Sequence, residues 1–461
     1  MNPKLFWLFS FVALYWIYCL YWGFKGAKSS KTSADYFIAG RSIGIWVFVL
    51  AATATSFSGW TFIGHPGKIF TDGLPYAFAS FYALTIPFTG VLFLRRQWIL
   101  GKAYKYITPG EMYSDYYGGD TIRLLTVLVA FLFSVPYLGV QLRASGDLFN
   151  VLTDGLISTE LGMFALSAIV VIYVASGGLR SVAYVDCVQC ILLALGIIIL
   201  GCITIHFSGG WDGFKVGLSK IVTDDLASNS IITPDGYSSK VAIPGAVQLV
   251  SSGSKSIGGP WTGLMCMTYM FALMGIQSSP AFSMWSFSNK TSKAFRWQQV
   301  VASSLIIGII LFTFTIFQGL GGHILQTNGI LKNVTDKNLV PQLINLMSTS
   351  APWLVGLLAV CALAAMQSTG AAYMSTFSGM VTRDVYKNYF SKEATDKTQK
   401  FFGRVFVVIV AGAALIVAAK STQAIVMLGG LAVAYGFQMY PALMGLCYLP
   451  KFSTRGVVAG L

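Results

Sequence analysis

Runs of about twenty apolar residues recur along this chain and set the first constraint on its fold. A helix rises about 1.5 Å per residue, so a run of that length crosses the hydrocarbon core of a bilayer. Of the 461 residues, 55% are hydrophobic and only 10% are charged, so the sequence predicts an all-α polytopic membrane protein. The predicted spans are 4–23, 43–64, 75–95, 122–150, 157–175, 186–207, 262–286, 299–322, 352–376, 403–419 and 424–449.

Lys and Arg are distributed unevenly over the loops between these spans. If the N-terminus lies outside, the inner loops hold roughly twice as many basic residues as the outer loops. Basic loops stay cytoplasmic, so we expect a multi-pass protein of the cell (inner) membrane with its N-terminus outside and its C-terminal end cytoplasmic. The net charge of +14 then reflects topology. It calls for neither a nucleic-acid partner nor an obligate protein partner.

Gly, Ser, Thr and Pro interrupt two of the spans. The second contains "ATATSFSGWTFIGHPG" (52–67) and the seventh contains "FALMGIQSSPAF" (271–282). Non-helical backbone at membrane depth is tolerated where it lines a cavity or is buried in protein, and matched breaks in two halves are typical of transporter binding sites. The alternative is that these small residues only allow close helix packing.

Each broken span opens a set of five spans, and an odd repeat length requires that the two sets be inverted. We therefore expect a five-plus-five inverted-repeat transporter core preceded by one extra N-terminal helix. The predicted parts are an N-terminal transmembrane helix with the first cytoplasmic loop (1–42), the first repeat (43–207), an extracellular loop (208–261), the second repeat (262–450), and a cytoplasmic loop with the start of a further helix (451–461). The apolar start of that last helix suggests a C-terminal truncation.

Three polar residues, Gln367, Ser368 and Thr369, lie side by side in the apolar ninth span. Helical spacing puts the carbonyl of Ala365 on the same face as the two hydroxyls. Neutral oxygens without a carboxylate suit a weakly held monovalent cation, and carbonyls of the broken second span could complete a five-oxygen Na⁺ site. Alternatively, both hydroxyls bond to their own helix or to a neighbouring helix.

Three motifs together resemble the sodium:solute symporter family, which includes bacterial proline, sugar and sialic-acid carriers. They are "SFSGWTFIGHPG" (56–67), "GGLRSVAYVDCVQ" (177–189) and the stretch from Ser368 through "FSGMVTRDVYK" (377–387). Members of the family have a five-plus-five inverted-repeat core preceded by one extra helix. The resemblance therefore implies the same architecture here, with Na⁺ as the coupling ion.

The resemblance also implies a set of Na⁺ ligands. They are the carbonyls of Ala54, Phe57 and Ala365 and the hydroxyls of Ser368 and Thr369. Some relatives bind a second sodium through hydroxyls one turn further along the same helix, where this chain has Ala371 and Ala372. We therefore expect one Na⁺ per transport cycle.

Among the charged residues of the predicted spans, Asp186 and Arg143 are the functional candidates, because an ionisable group inside a membrane segment is by default a functional hypothesis. The resemblance implies that Asp186 lies on the route of the ion to the cytoplasm, whereas a structural pair with Arg180 or a neighbouring helix is the alternative. Arg143 could pair bidentately with a substrate carboxylate, and Asp147, one helical turn away, is its competing partner.

A small-solute site needs aromatic walls and a few placed polar groups. In the broken spans and the fourth span, such residues are Ser56, Ser58, Trp60, Gln141, Gln277, Ser278, Ser279 and Phe282. Each of them could equally serve packing. Ser56 replaces an acidic residue found in some proline carriers of the family, which puts proline itself in doubt as the solute.

These observations predict a Na⁺-coupled secondary active symporter that imports a small organic solute by alternating access, with an amino acid or organic acid favoured by Arg143. No enzyme is expected, because the three histidines lack metal-ligand spacing and no Gly-rich loop matches a phosphate-binding pattern. The alternative is a solute-sensing membrane module of a larger signalling protein, since family domains also occur fused to kinases.

Overall fold

The computed structural model describes residues 2–227, 239–241, 261–420 and 425–461. Apart from short 3₁₀ segments, the helices of these residues are α1 (Pro3–Ser29), α2 (Ser33–Ile38), α3 (Ile45–Ser56), α4 (Trp60–Asp72), α5 (Leu74–Ala77), α6 (Tyr82–Ala103), α7 (Pro109–Tyr117), α8 (Asp120–Leu152), α9 (Thr159–Phe207), α10 (Gly210–Ala227), α11 (Gly263–Leu273), α12 (Gly275–Ser278), α13 (Pro280–Ser288), α14 (Lys293–Thr327), α15 (Leu339–Asn345), α16 (Pro352–Phe390), α17 (Asp396–Lys420), α18 (Ile425–Phe437), α19 (Met439–Cys447) and α20 (Thr454–Gly460).

Six helices of the described part of the chain are long and apolar enough to cross a membrane: α1, α8, α9, α14, α16 and α17. Helices α3 and α4 together form a seventh candidate, bent by 54° at the break between them. The all-α polytopic class is thereby confirmed. The predicted third, seventh and eleventh spans differ from the prediction, because each is divided into shorter helices.

Helix α9 covers two predicted spans, and the loop predicted between residues 175 and 186 is wrong. The helix continues through this stretch except at Gly178, whose backbone angles are φ 61° and ψ −154°. Only glycine adopts this conformation readily, and a Cβ here would also lie 2.2 Å from the carbonyl oxygen of Tyr36. A single residue, Gly178, therefore makes the turn for which a loop was predicted.

The predicted extracellular loop 208–261 begins with a helix, α10, which follows α9 almost directly. Residues 228–238 and 242–260 of that loop lie outside the described part, as do residues 421–424 at the start of the predicted eleventh span. The predicted start of a further helix after residue 451 corresponds to α20.

Helix α16 is the centre of the fold. In its most apolar window 89% of the residues are buried, against 22% for α1. It packs against α1, α3, α8 and α9, which its many Ala and Gly residues allow because small side chains let helix backbones approach closely. The polar residues Gln367 to Thr369 of α16 therefore lie among packed helices and not against lipid.

Charged side chains tie the helix ends together. At the start of α1 the buried Lys4 donates to Asp154 at 2.7 Å and to Asn345 at 3.2 Å. At the opposite end of the bundle Arg383 pairs with Glu111 at 2.6 Å. Both contacts join segments far apart in sequence, so they fix the packing of α1 and α16 against their neighbours.

Candidate functional site: the two helix breaks and the central helix

The break between α3 and α4 arises because side chains capture the backbone amides that would continue α3. The amide of Ser58 donates to the hydroxyl of Thr61 at 3.2 Å, and that of Trp60 donates to the hydroxyl of Ser58 at 3.1 Å. The amide of Gly59 donates to Gln141 Oε1, on α8, at 2.8 Å. The carbonyls four residues earlier are consequently left without their helical donors.

Those freed carbonyls face the polar residues of α16. The hydroxyl of Ser368 lies 3.1 Å from the carbonyl oxygen of Ala54 and 3.2 Å from that of Ala365. The hydroxyl of Thr369 lies 3.4 Å from the carbonyl oxygen of Thr55. Four of the five predicted Na⁺ ligands are therefore in one place, at the contact between the broken helix and α16.

The fifth predicted ligand, Phe57, is the first residue after α3 and has extended backbone (φ −119°, ψ 117°). Its carbonyl is also freed, because the amide of Thr61 donates instead to the carbonyl of Ser58 at 2.8 Å. A set of neutral carbonyl and hydroxyl oxygens fits a hard monovalent cation. The donor chemistry of these residues thus fits the predicted Na⁺ site.

The second break lies between α12 and α13, at Ser279, whose backbone is extended (φ −62°, ψ 155°). Pro280 follows and has no amide hydrogen, which ends the helical ladder there. Gln277 Nε2 donates to the hydroxyl of Ser56 at 2.9 Å. The two breaks are therefore in direct contact, and the hydroxyls of Ser278 and Ser279 bond to carbonyls of their own segment.

Two glutamines of α14 that the sequence analysis did not select extend this contact. Gln299 Nε2 donates to Gln277 Oε1 at 3.0 Å and also to Gln298. Gln298 Nε2 donates to the hydroxyl of Ser303 at 2.9 Å and that of Thr53 at 3.5 Å. The adjacent pair in "WQQ", polar in an apolar span like Gln367 to Thr369, is the signal that could have found them.

Aromatic side chains cover the other side of the first break. Trp60 packs against His65 and Tyr82, with ring centroids 5.3 and 5.6 Å apart. The hydroxyl of Ser58 lies 3.1 Å from that of Tyr137. His65, Tyr82 and Tyr137 were not predicted, because their positions show no contact to the break until the helices are packed.

The predicted substrate residues other than Arg143 are all buried, each at most 3% exposed. They are Ser56, Ser58, Trp60, Gln141, Gln277, Ser278, Ser279 and Phe282. The side chain of Arg143 is 29% exposed and lies 3.4 Å from the carboxylate of Asp147. The structure thus places Arg143 with the competing partner recognised in the sequence. Both polar ends of Gln141 are also used, since its Nε2 donates to the carbonyl of Tyr137.

Asp186 lies within α9, fully buried, and neither of its carboxylate oxygens has a hydrogen-bond partner among the residues that the structure describes. The polar side chains that interact with it include those of Tyr173 and of Thr55, whose carbonyl accepts from Thr369. Arg180 is engaged elsewhere, by the carbonyl of Ala39 at 3.0 Å. Asp186 is therefore next to the residues of the Na⁺ set and not paired with Arg180.

Gln367, the third polar residue of the ninth span, points away from the break. Its Oε1 accepts from Gln189 Nε2 at 3.4 Å, and Gln189 in turn contacts the hydroxyl of Tyr15 at 2.5 Å. This residue therefore joins α16 to α9 and α1. Ser368 and Thr369 instead face α3.

The chain is similar to known sodium-coupled carriers over almost its whole length. It is 25% identical to the high-affinity proline transporter PutP of Bacillus subtilis, over 95% of this chain and 86% of that protein. It is also 25% identical to the sodium/glucose cotransporter of Vibrio parahaemolyticus, over 95% of this chain and 78% of the other. The sodium/pantothenate symporter of Escherichia coli is 23% identical, over 93% and 82%.

A similar fold is found in the solved structure of a Na⁺-coupled sialic acid symporter in a substrate-bound outward-open state. The two share a TM-score of 0.76 at 18% identity, over 99% of this chain and 89% of the other. The model of the sodium:solute symporter family matches residues 36–461. A match over this length identifies the chain as a member of the sodium:solute symporter family, whose proteins are transporters and not enzymes.

Proposed function

We propose that this protein imports a small organic solute together with one Na⁺ by alternating access across the cell (inner) membrane. The observation that carries the proposal is the position of the Ser368 hydroxyl, 3.1 Å from a carbonyl of the broken helix and 3.2 Å from one of its own helix. An ion held there contacts two separate helices. Its binding therefore favours the conformations in which α3 and α16 lie together.

The proposed ion ligands are the carbonyls of Ala54, Phe57 and Ala365 and the hydroxyls of Ser368 and Thr369. One turn further along α16, Ala371 and Ala372 offer no side-chain oxygen, which supports a stoichiometry of one. Asp186 belongs to the proposed route by which the ion leaves. Its buried carboxylate next to Thr55 can meet a cation after the ligand set opens.

The proposed solute site lies between the two breaks, at Ser56, Ser58, Trp60 and residues 277–279, with Phe282 behind them. Its polar groups are hydroxyls and amides, and the bond from Gln277 to Ser56 is the contact that a solute would replace. Among the proposed solutes we favour an amino acid or an organic acid. The bound Na⁺ and the amides at the break are the groups that would receive its carboxylate.

Arg143 and Gln141 enter this site only if their present partners are displaced. The guanidinium of Arg143 would have to leave Asp147, and Gln141 would have to release the amide of Gly59. The preference for a carboxylate therefore rests on Na⁺ and the backbone more than on Arg143. We propose Gln141 as a residue that holds the break in shape next to the solute.

The energetics of one Na⁺ per cycle are sufficient for accumulation. A membrane potential contributes about 2.3 kcal/mol per elementary charge per 100 mV, and about 1.4 kcal/mol is a factor of ten in concentration. Coupling requires that Na⁺ raise the affinity for the solute, and by linkage the solute raises the affinity for Na⁺ by the same factor.

The test is uptake into proteoliposomes of labelled amino acids, organic acids and sugars, with and without an inward Na⁺ gradient. We expect Na⁺-dependent accumulation of at least one solute, which the double variant Ser368→Ala/Thr369→Ala abolishes. Accumulation that is the same without Na⁺ would contradict the proposal. Saturable solute binding without uptake of any compound would favour the sensing module, whereas the similar carriers named above support a transporter.

A further inference from the structure

A cleft of about 240 Å³ opens between α1 and the second half of α9, away from the transport site. It is lined by Trp22, Lys25, Gly26, Ser29, Arg180, Ser181 and Tyr184. We infer that this cleft binds the phosphate headgroup of an anionic membrane phospholipid.

The cleft follows from how the two helices cross. Gly26 approaches α9 so closely that a Cβ on it would lie 3.1 Å from Ser181 and 3.2 Å from the backbone of Gly177. A Cβ on Gly23, one turn earlier, would overlap the backbone of Tyr173. Small residues allow this tight crossing. The cleft, called the wedge below, lies beside the crossing at the end of α1.

Two cations border the wedge, and its seven lining residues include no carboxylate. Lys25 is exposed, and its ammonium lies 4.4 Å from the ring centroid of Trp22. Arg180 is fixed by bonds to the carbonyl of Ala39 and the hydroxyl of Ser42, at 3.0 and 2.9 Å. Both of these acceptors are neutral, so they do not balance the positive charge of the guanidinium.

One carboxylate outside the lining, Asp35, interacts electrostatically with Arg180. One of its oxygens, Oδ2, accepts from the amides of Lys31 and Thr32, at 3.1 and 2.9 Å, as part of the cap of α2. Lys25 has no carboxylate partner among the described ion pairs. An anion in the wedge therefore meets net positive charge.

The surroundings of the wedge match a lipid and not a soluble ligand. Trp22 stacks on Tyr184 with centroids 4.6 Å apart and an interplanar angle of 8°, and aromatic residues with Lys or Arg mark the headgroup level of a membrane helix. Ile17 and Ile191, which lie nearer the middle of α1 and of the second half of α9 than the lining residues do, are 63% and 50% exposed. These apolar flanks can receive acyl chains while the two cations hold the phosphate, as in basic pockets between membrane helices.

The test uses the full chain in nanodiscs of phosphatidylcholine with rising fractions of phosphatidylglycerol, followed by native mass spectrometry of the lipids that stay bound. We expect phosphatidylglycerol to be retained over phosphatidylcholine, and Lys25→Gln to weaken that selectivity about fivefold, the effect of one basic residue near an anionic surface. Ser29→Phe, which fills the wedge without a change of charge, is expected to reduce it as well. Lys28→Gln, on the same helix outside the wedge, is the matched control.

Three results would overturn the inference. The first is equal retention of the two lipids by the unaltered protein. The second is equal phosphatidylglycerol selectivity in Lys25→Gln and in the control. The third is displacement of the retained lipid by millimolar glycerol phosphate, which would identify a site for a soluble phosphate ester. Because the readout is bound lipid, it is independent of whether the protein transports any solute.

Discussion

Removing the hydroxyl of Ser368 is the sharpest test of the proposed ion site. The variant Ser368→Ala deletes one of five proposed ligands and leaves the carbonyls of Ala54 and Ala365 in place. The loss of one buried polar contact costs about 1–3 kcal/mol, which corresponds to a rise of about 5- to 150-fold in the Na⁺ concentration that half-saturates uptake. The maximal rate should change much less, since the helix break itself is intact.

Two measurements separate the loss of a ligand from a loss of packing. Initial uptake rates are recorded against Na⁺, with choline replacing it at constant ionic strength. Thermal unfolding is recorded over the same range, because a ligand that binds only the folded state stabilises it in proportion to ln(1 + [Na⁺]/Kd). The control is Ser378→Ala, a buried hydroxyl of the same helix that bonds to the carbonyl of Ser375 at 2.9 Å.

The reasoning would be refuted by equal Na⁺ dependence in Ser368→Ala and Ser378→Ala. In that case the Ser368 hydroxyl would only join α16 to α3, and the variant would lose the same stability with and without Na⁺. Adding Thr369→Ala should weaken Na⁺ binding further. The two effects need not add, because both side chains contact the same broken helix.

Three further outcomes are expected. Gln141→Leu leaves the buried amide of Gly59 without an acceptor, so the free energy of unfolding in detergent should fall by about 1–3 kcal/mol. An unchanged unfolding curve would show that another group accepts this hydrogen bond. Glu111→Gln removes the anion from the half-buried ion pair with Arg383 and should lower the unfolding temperature. The control Glu393→Gln, at an exposed position, should leave the unfolding temperature unchanged, and equal effects of the two variants would mean that the pair adds no stability. Arg143→Gln should change the KM for the transported solute by less than about threefold, because the guanidinium pairs within its own helix, and a rise of tenfold or more would assign it to carboxylate recognition.

The sequence was sufficient for the features that depend on local chemistry. Gly, Ser and Pro within apolar spans predicted both helix breaks, and the spacing of Ala365, Ser368 and Thr369 predicted a shared face. The i,i+4 spacing of Arg143 and Asp147 offered their pair as the alternative to a substrate carboxylate, and the structure contains that pair. In each case residues close in sequence determine the geometry.

Contacts that join distant helices were beyond such reasoning. The bonds from Gln277 to Ser56 and from Gln299 to Gln277 depend on the packing of three helices, which no local pattern encodes. The capture of the Gly59 amide by Gln141 is of the same kind, so the sequence did not show that Gln141, which was predicted to bind the solute, also bonds to the backbone. The loop predicted around Gly178 was wrong for a different reason. A loop was placed between residues 175 and 186, whereas a single glycine suffices for the turn.

The connection at Gly178 has a consequence for motion. A loop of ten residues would allow the two halves of α9 to shift independently by many ångströms. With a single connecting residue, only the φ and ψ angles of Gly178 can change their relative orientation. The two halves therefore stay joined at Gly178, and the half that carries Asp186 moves by turning about this point. An insertion that lengthens the connection would uncouple the two halves without altering any residue of the proposed ion and solute sites.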